Sequence, residues 1–125
     1  MVISIGVDLV SIARMEEALG RWQDRLLGRV FTRAEAAFCQ GRAYPAAHLA
    51  ARLAAKEAAF KALGTGWGQG VRWLDVEVAT DRAGGPRLLL QGRAGELAQG
   101  KGIKRTFLSL AHEGEYALAF VVATD

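Results

Sequence analysis

Residues 46–63 constrain the fold more than any other part of the chain. Most of them are Ala, Leu or Phe, strong helix formers or good core material. Leu49, Leu53, Phe60 and Leu63 recur at helical spacing and form one apolar stripe. Small alanines cover much of the rest, so neighbouring backbones can approach closely and the helix is expected to be buried on more than one side. Pro45 suits its first turn and Gly64 its C-terminal stop. Its only full charges are Arg52, Lys56, Glu57 and Lys61, and the last two, four residues apart, share a face. Charges on a buried helix need a partner, a metal or a ligand.

A chain of 125 residues fits one domain with a real core, and a hydrophobic content of 51% argues against disorder. The single Cys39 excludes an internal disulfide and suits a reducing compartment. The N-terminal MVISIGVDLV lacks a basic leader and is interrupted by an acid. No apolar run approaches the ~20 residues of a membrane helix. A cytoplasmic protein without membrane association is expected. The net charge of +3 favours an acidic protein, a nucleic acid or a phosphorylated small molecule as partner. The 16 Lys and Arg are dispersed, and no helix-turn-helix, RNP-type or zinc-finger signature accompanies them, which leaves a basic nucleic-acid-binding domain as the less favoured alternative.

Residues 2–10 are mostly β-branched and suit a buried strand. Asp8 within it either caps the next helix, meets an arginine, or ligates a metal. Residues 11–27 suggest an amphipathic helix with Ile12, Met15, Leu19, Trp22 and Leu26 toward the core, weakened at Gly20 by roughly 1 kcal/mol. Arg14, Arg21 and Arg25 share a neighbouring face, either simply solvated or a docking strip for an acidic partner. Thr32 and Glu35 fit a capping box that opens a short helix through Cys39, whose thiol is expected to be buried. After the long helix, glycines at 64, 66, 68 and 70 follow a helix and not a strand, so they do not form a dinucleotide fingerprint; they suit sharp turning and close approach of a ligand or chain.

Residues 73–80 alternate, with Leu74, Val76 and Val78 on one face and Trp73, Asp75 and Glu77 on the other, which predicts a half-buried strand. A turn at 81–86, a strand at 87–91, a short helix at 92–100 and a hairpin of strands 104–112 and 115–123 complete the chain. The order β-α-α-α-β-β-α-β-β predicts an α+β domain with an antiparallel sheet packed on one side by helices.

Asp8 and Glu57 stand out as acids in apolar surroundings. Each could be neutralised by an arginine, or together they could hold one Mg²⁺, which takes oxygen ligands and is commonly held by one or two carboxylates plus substrate phosphates. Lys61, one turn from Glu57, could face the same phosphates. No P-loop or Ser-His-Asp spacing is present, and two histidines cannot build a His-rich zinc site. His48 reads as an ordinary helix residue; His112, at a hairpin corner, reads as a surface histidine or a phosphate contact.

I-G-V-D-L-V-S-I-A-R at 5–14, F-T-x-x-E at 31–35 and R-L-A-A-K-E-A-A-F-K-A-L-G-T-G at 52–66 resemble the signature of the holo-acyl-carrier-protein synthases, the small single-domain members of the 4′-phosphopantetheinyl transferase superfamily. The later W-L-D-V-E-V, the G-G-P turn and S-L-A-H-x-x-x-Y-A-x-A match in order, so the resemblance covers essentially the whole chain. One departure is Ala111, where the family often carries a serine. The resemblance implies transfer of the 4′-phosphopantetheine arm of coenzyme A to a serine of apo acyl carrier protein, releasing adenosine 3′,5′-bisphosphate. It implies Mg²⁺ on Asp8 and Glu57, with Glu57 as general base, directly or through a bound water, and Lys61 steadying the pyrophosphate. Arg52, Lys61, Gly64, Gly66, Pro86 and His112 are then the candidate coenzyme A contacts. Arg14, Arg21 and Arg25 would dock the acidic carrier protein. The resemblance also implies a homo-oligomer, a trimer, with sites between subunits.

Overall fold

Helix α3 (Pro45–Leu63) forms over the expected span in the computed structural model, which describes residues 1–65 and 69–125. Pro45 sits in its first turn. Gly64 closes it at φ 71°, a left-handed conformation that glycine adopts without a Cβ penalty, and donates its N–H to the Lys61 carbonyl. Most of α3 is buried, and it is shared by two apolar clusters. One gathers Ala58 and Ala62 with Val76, Val78, Ala119 and Val121; the other gathers Leu49 with Ile12, Met15, Phe31, Cys39 and Ala117. Burial on more than one side is therefore observed.

Around α3 the chain runs β1 (Val2–Ser11), α1 (Ile12–Val30), α2 (Arg33–Gln40), then after α3 a 3₁₀ turn (Trp73–Asp75), β2 (Val76–Thr80), β3 (Pro86–Leu90), α4 (Gly92–Gly100), β4 (Arg105–Glu113) and β5 (Tyr116–Thr124). The α+β expectation holds, with one refinement. The strands form two antiparallel ladders, β1-β5-β4 and the separate hairpin β2-β3.

The β1 reading needs correction. Among the described residues the strand is paired on one side only, to β5, and only its inner face is turned toward α3. Ile3, Ile5, Val7 and Leu9 point the other way and are exposed, with Phe107, Leu118 and Phe120 on the same open face. A continuous β-branched run thus covers one buried and one bare face in a single chain. Helix α1 breaks at Trp22 (φ −127°, ψ 17°) and not at Gly20. Trp22, expected in the core, is 50% exposed, because the kink carries it away from α3; the Arg25 guanidinium lies over its ring at 5.8 Å. The strand expected to start at 73 starts at Val76. Asp75, expected on the outer face, is buried: its carboxylate caps the 3₁₀ turn by accepting the Arg72 N–H at 3.0 Å.

The capping box at Thr32 is present, and it has a second use. Glu35 accepts the Thr32 N–H on Oε1 (2.8 Å) and the Val78 N–H on Oε2 (2.8 Å), and it pairs with Lys56 Nζ at 2.9 Å. Lys56, wholly buried, also donates to the carbonyls of Trp73 and Val76. One ion pair thus ties α2, α3 and β2 together. Removing one member strands a buried charge, so Lys56→Ala is expected to lower stability by about 3–5 kcal/mol. Chemical denaturation reads this; a loss below about 1 kcal/mol would show that the pair contributes little more than an exposed one.

Candidate active site

Three groups meet where β1 crosses α3. Asp8 lies on the inner face of β1, and its Oδ1 accepts from Lys61 Nζ at 3.1 Å. Lys61 also donates to the Val7 carbonyl at 2.9 Å, so it is held by β1 as well as by its own helix. Asp8 Oδ2 is buried and has no hydrogen-bond partner among the described residues. Glu57 is partly buried beside it. Burial and the adjacent Asp8 carboxylate push the Glu57 carboxyl up to about 7, against the opposing pull of Lys61.

Two adjacent carboxylates, one with an orphaned oxygen, form a donor set suited to a hard cation. Among the described residues no cluster of three or more His, Cys, Asp or Glu could hold a metal. An ion bound by Asp8 and Glu57 would therefore take its remaining oxygens from substrate or water. The residues fit Mg²⁺ on those grounds. A cleft of about 290 Å³ opens beside Glu57, lined by Leu9, Ser11, Met15, Leu53 and Arg14. Ser11 caps α1 by accepting the Arg14 N–H. Arg21 and Arg25 lie farther along the exposed side of α1, Arg21 paired with Glu17 at 3.3 Å. Of the three arginines expected to form a docking strip, Arg14 alone reaches the cleft that holds Glu57.

The other candidate contacts do not join this cluster within one chain. Arg52 precedes Glu57 by five positions, about 140° around the helix, and faces elsewhere. It lines a second cleft of about 300 Å³ with Pro86 and His112. The Arg52 side chain is buried, its Nε has no hydrogen-bond partner, and no ion pair holds it among the described residues; the Thr80 hydroxyl is 3.5 Å from its guanidinium. Gly64 lies at the other end of α3, just past Lys61, and Gly66 falls outside the described residues.

The second cleft contains residues that sequence reading passed over. Arg42 and Arg52 both lie over the Phe38 ring, at 4.2 and 4.3 Å from its centroid. His48, taken as an ordinary helix residue, faces His112 at 5.8 Å between ring centroids. Burial, then the Arg52, His112 and Arg42 charges, push its imidazole below the usual histidine range. The spacing of His48 and Arg52, four apart on one helix, was the available signal. Two arginines and two histidines line this cleft without a carboxylate, a set whose chemistry suits anionic groups such as phosphates.

The chain matches the model of the 4′-phosphopantetheinyl transferase superfamily over residues 4–121. It is 43% identical over 125 residues to a holo-[acyl-carrier-protein] synthase of Koribacter versatilis, covering 100% of both chains. It is 49% identical over 123 residues to one of Desulforudis audaxviator, covering 98% of this chain and 93% of that one. Among solved structures, holo-[acyl-carrier-protein] synthase from Neisseria meningitidis matches at TM-score 0.89 and 33% identity, covering 100% of both chains. The Helicobacter pylori enzyme in complex with coenzyme A matches at TM-score 0.84 and 30% identity, covering 96% of this chain and 99% of that one. With the paired acids and the cationic cleft both on the fold these enzymes share, the chain belongs to the 4′-phosphopantetheinyl transferase superfamily.

Proposed function

We propose that this protein is a Mg²⁺-dependent holo-acyl-carrier-protein synthase: it transfers 4′-phosphopantetheine from coenzyme A to a serine of apo acyl carrier protein. The observation that carries the reading is the Asp8–Glu57 pair, with its orphaned oxygen and Lys61 in contact, in a chain of this family. In the reaction a bond forms between the serine oxygen and the phosphorus nearest pantetheine, and the bond from that phosphorus to the oxygen of adenosine 3′,5′-bisphosphate breaks. Asp8 and Glu57 would hold the Mg²⁺, which would supply positive charge to offset the negative charge that builds during the transfer.

Glu57, at the mouth of the cleft, accepts the serine proton directly or through a bound water. Asp8 and the Val7 carbonyl fix the Lys61 ammonium, which donates to pyrophosphate oxygens as their charge builds. Arg52, with Arg42, His48 and His112, binds the adenosine phosphates, and Pro86 shapes the wall of that cleft. Because the two groups of residues lie on different faces of α3, a complete site is best accounted for by two chains. The open apolar face of β1-β5-β4 supports the same oligomer, a trimer in our reading. The buried, unpaired Cys39 suits a cytoplasmic setting, and the reaction suits fatty acid biosynthesis. No helix among the described residues is long and apolar enough to cross a membrane.

The direct test incubates the protein with coenzyme A, Mg²⁺ and an apo acyl carrier protein. A mass gain of one phosphopantetheine arm on the carrier is expected, and no gain on any carrier offered would refute the reading. The position of Arg14 at the cleft supports giving it the largest share of carrier docking among the three arginines. Arg14→Glu is expected to raise the KM for carrier protein by roughly tenfold or more and leave the KM for coenzyme A nearly unchanged, with Arg21→Glu and Arg25→Glu weaker. Added salt should mimic the change, since exposed charges are screened. Equal losses for both substrates would instead mark α1 as scaffold.

A further inference from the structure

We propose that Gly6 is a positioning residue for the metal-binding pair: its missing Cβ lets β1 lie directly on the α3 backbone, and that contact sets Asp8 beside Lys61 and Glu57. Gly6 is the buried residue of β1, two positions before Asp8 on the same inner face. A Cβ at this position would lie 1.9 Å from the Ala58 carbonyl oxygen, 2.9 Å from its carbonyl carbon and 3.0 Å from the Ala62 nitrogen. All three are helix backbone atoms, which cannot swing aside as a side chain can. Gly6 does not have the positive φ that would otherwise explain a glycine. What the position requires is proximity.

The contact sits between two others along the same strand face. Ser4 Oγ donates to the Ala62 carbonyl at 2.6 Å, and Asp8 meets Lys61 at 3.1 Å. Lifting β1 at Gly6 therefore moves Asp8 away from α3, while the Ala117, Ala119 and Val121 face of β5 stays buried in the core. Because β1 is an edge strand, paired only to β5 among the described residues, it can tilt without dismantling the sheet. An alanine at position 6 would thus separate the carboxylates more than it would unfold the protein. Shifts of supporting residues typically cost about 10–100-fold in metal affinity.

The test has two arms, and only the second rests on the metal-site reading given above. In the first, a crystal structure of Gly6→Ala is expected to retain the β1–β5 ladder with the Asp8–Lys61 contact opened beyond hydrogen-bond reach. In the second, electron paramagnetic resonance follows binding of Mn²⁺ alone. Wild type binds; Asp8→Ala and Gly6→Ala each lose roughly tenfold or more in affinity. Ser4→Ala, which removes a neighbouring tie between the same strand and helix, lowers the unfolding temperature and keeps the Mn²⁺ affinity. In the Gly6→Ala background, Asp8→Glu regains part of the affinity because the longer side chain spans the gap. An intact Asp8–Lys61 contact in Gly6→Ala overturns the proposal, as does an unchanged Mn²⁺ affinity there while Asp8→Ala loses it. Failure of both Gly6→Ala and its Asp8→Glu double variant to fold also overturns it, since Gly6 would then serve stability alone. If wild type does not bind Mn²⁺, the metal reading falls and the crystallographic contact alone decides the role of Gly6.

Discussion

Asp8→Ala and Glu57→Ala are each expected to lower Mg²⁺-dependent transfer by on the order of 10³-fold, the upper end of what one preorganised charge-stabilising contact supplies. Both variants should remain folded. Asp8 is not part of the buried network of Glu35 and Lys56, and among the described residues its one ion pair is to Lys61, whose side chain is 58% exposed. Circular dichroism checks the fold and a single-turnover assay checks the loss. Near-normal turnover by either variant at ordinary Mg²⁺ would refute the two-carboxylate site.

The same pair predicts a pH dependence whose sign can be worked out. The folded-state value of Glu57 is raised from 4.5 to about 7. Its contribution to stability is therefore complete below the ordinary value and is lost as pH rises through about 7. Because the group is only partly buried, solvent screening reduces the effect to roughly 1–2 kcal/mol. In metal-free protein the unfolding free energy should fall between pH 4.5 and about 7, and Glu57→Gln should flatten that slope. Saturating Mg²⁺ should restore stability at pH 8 in wild type but not in Glu57→Gln. A flat profile in metal-free wild type, unchanged in Glu57→Gln, would show that burial and Asp8 do not raise the Glu57 carboxyl.

Local rules were enough to read the elements whose signals are local. The capping box at Thr32, the Pro45 start and Gly64 stop of α3, and the closing hairpin each depend on residues a few positions apart, and each is found. What was illegible depends on distant partners. Glu35 looked satisfied by its cap, and nothing nearby shows that the same carboxylate reaches Val78, 43 positions away, and Lys56. Period-2 alternation put Asp75 outside, but an acid that caps its own turn obeys hydrogen bonding before it obeys the period. Asp8 and Glu57 could be read as a pair because both are acids in apolar stretches. The second cleft could not, because Phe38, Arg42, His48, Thr80 and His112 come from five separate places in the chain. In β1, both sides of the strand were apolar in sequence, and a single chain covers only one.

That bare side carries the last expectation, which is that activity requires assembly. Ile5, Val7, Leu9, Leu118 and Phe120 form a contiguous apolar face on β1 and β5, each at least 40% exposed. A surface of this kind is characteristic of an interface. Phe120→Asp or Ile5→Asp places a charge in its middle and is expected to yield a monomer by sedimentation equilibrium, with transfer lost although Asp8, Glu57 and Arg52 are untouched. The arrangement of the two clefts makes a sharper demand. Arg52 and His112 line one cleft together, while Asp8 and Glu57 lie on another face of α3, so either Arg52→Ala or His112→Ala should complement Asp8→Ala. In a cyclic oligomer each site would take its acid half from one chain and its cationic half from the next. Random mixing of equal amounts of two such variants then leaves about one site in four with both halves intact. Unfolding and refolding the mixture together should therefore restore about a quarter of wild-type transfer, whereas mixing without exchange restores none. A wild-type protein that sediments as a monomer at micromolar concentration with full activity, or a refolded mixture that stays inactive, would place both clefts' work within a single chain.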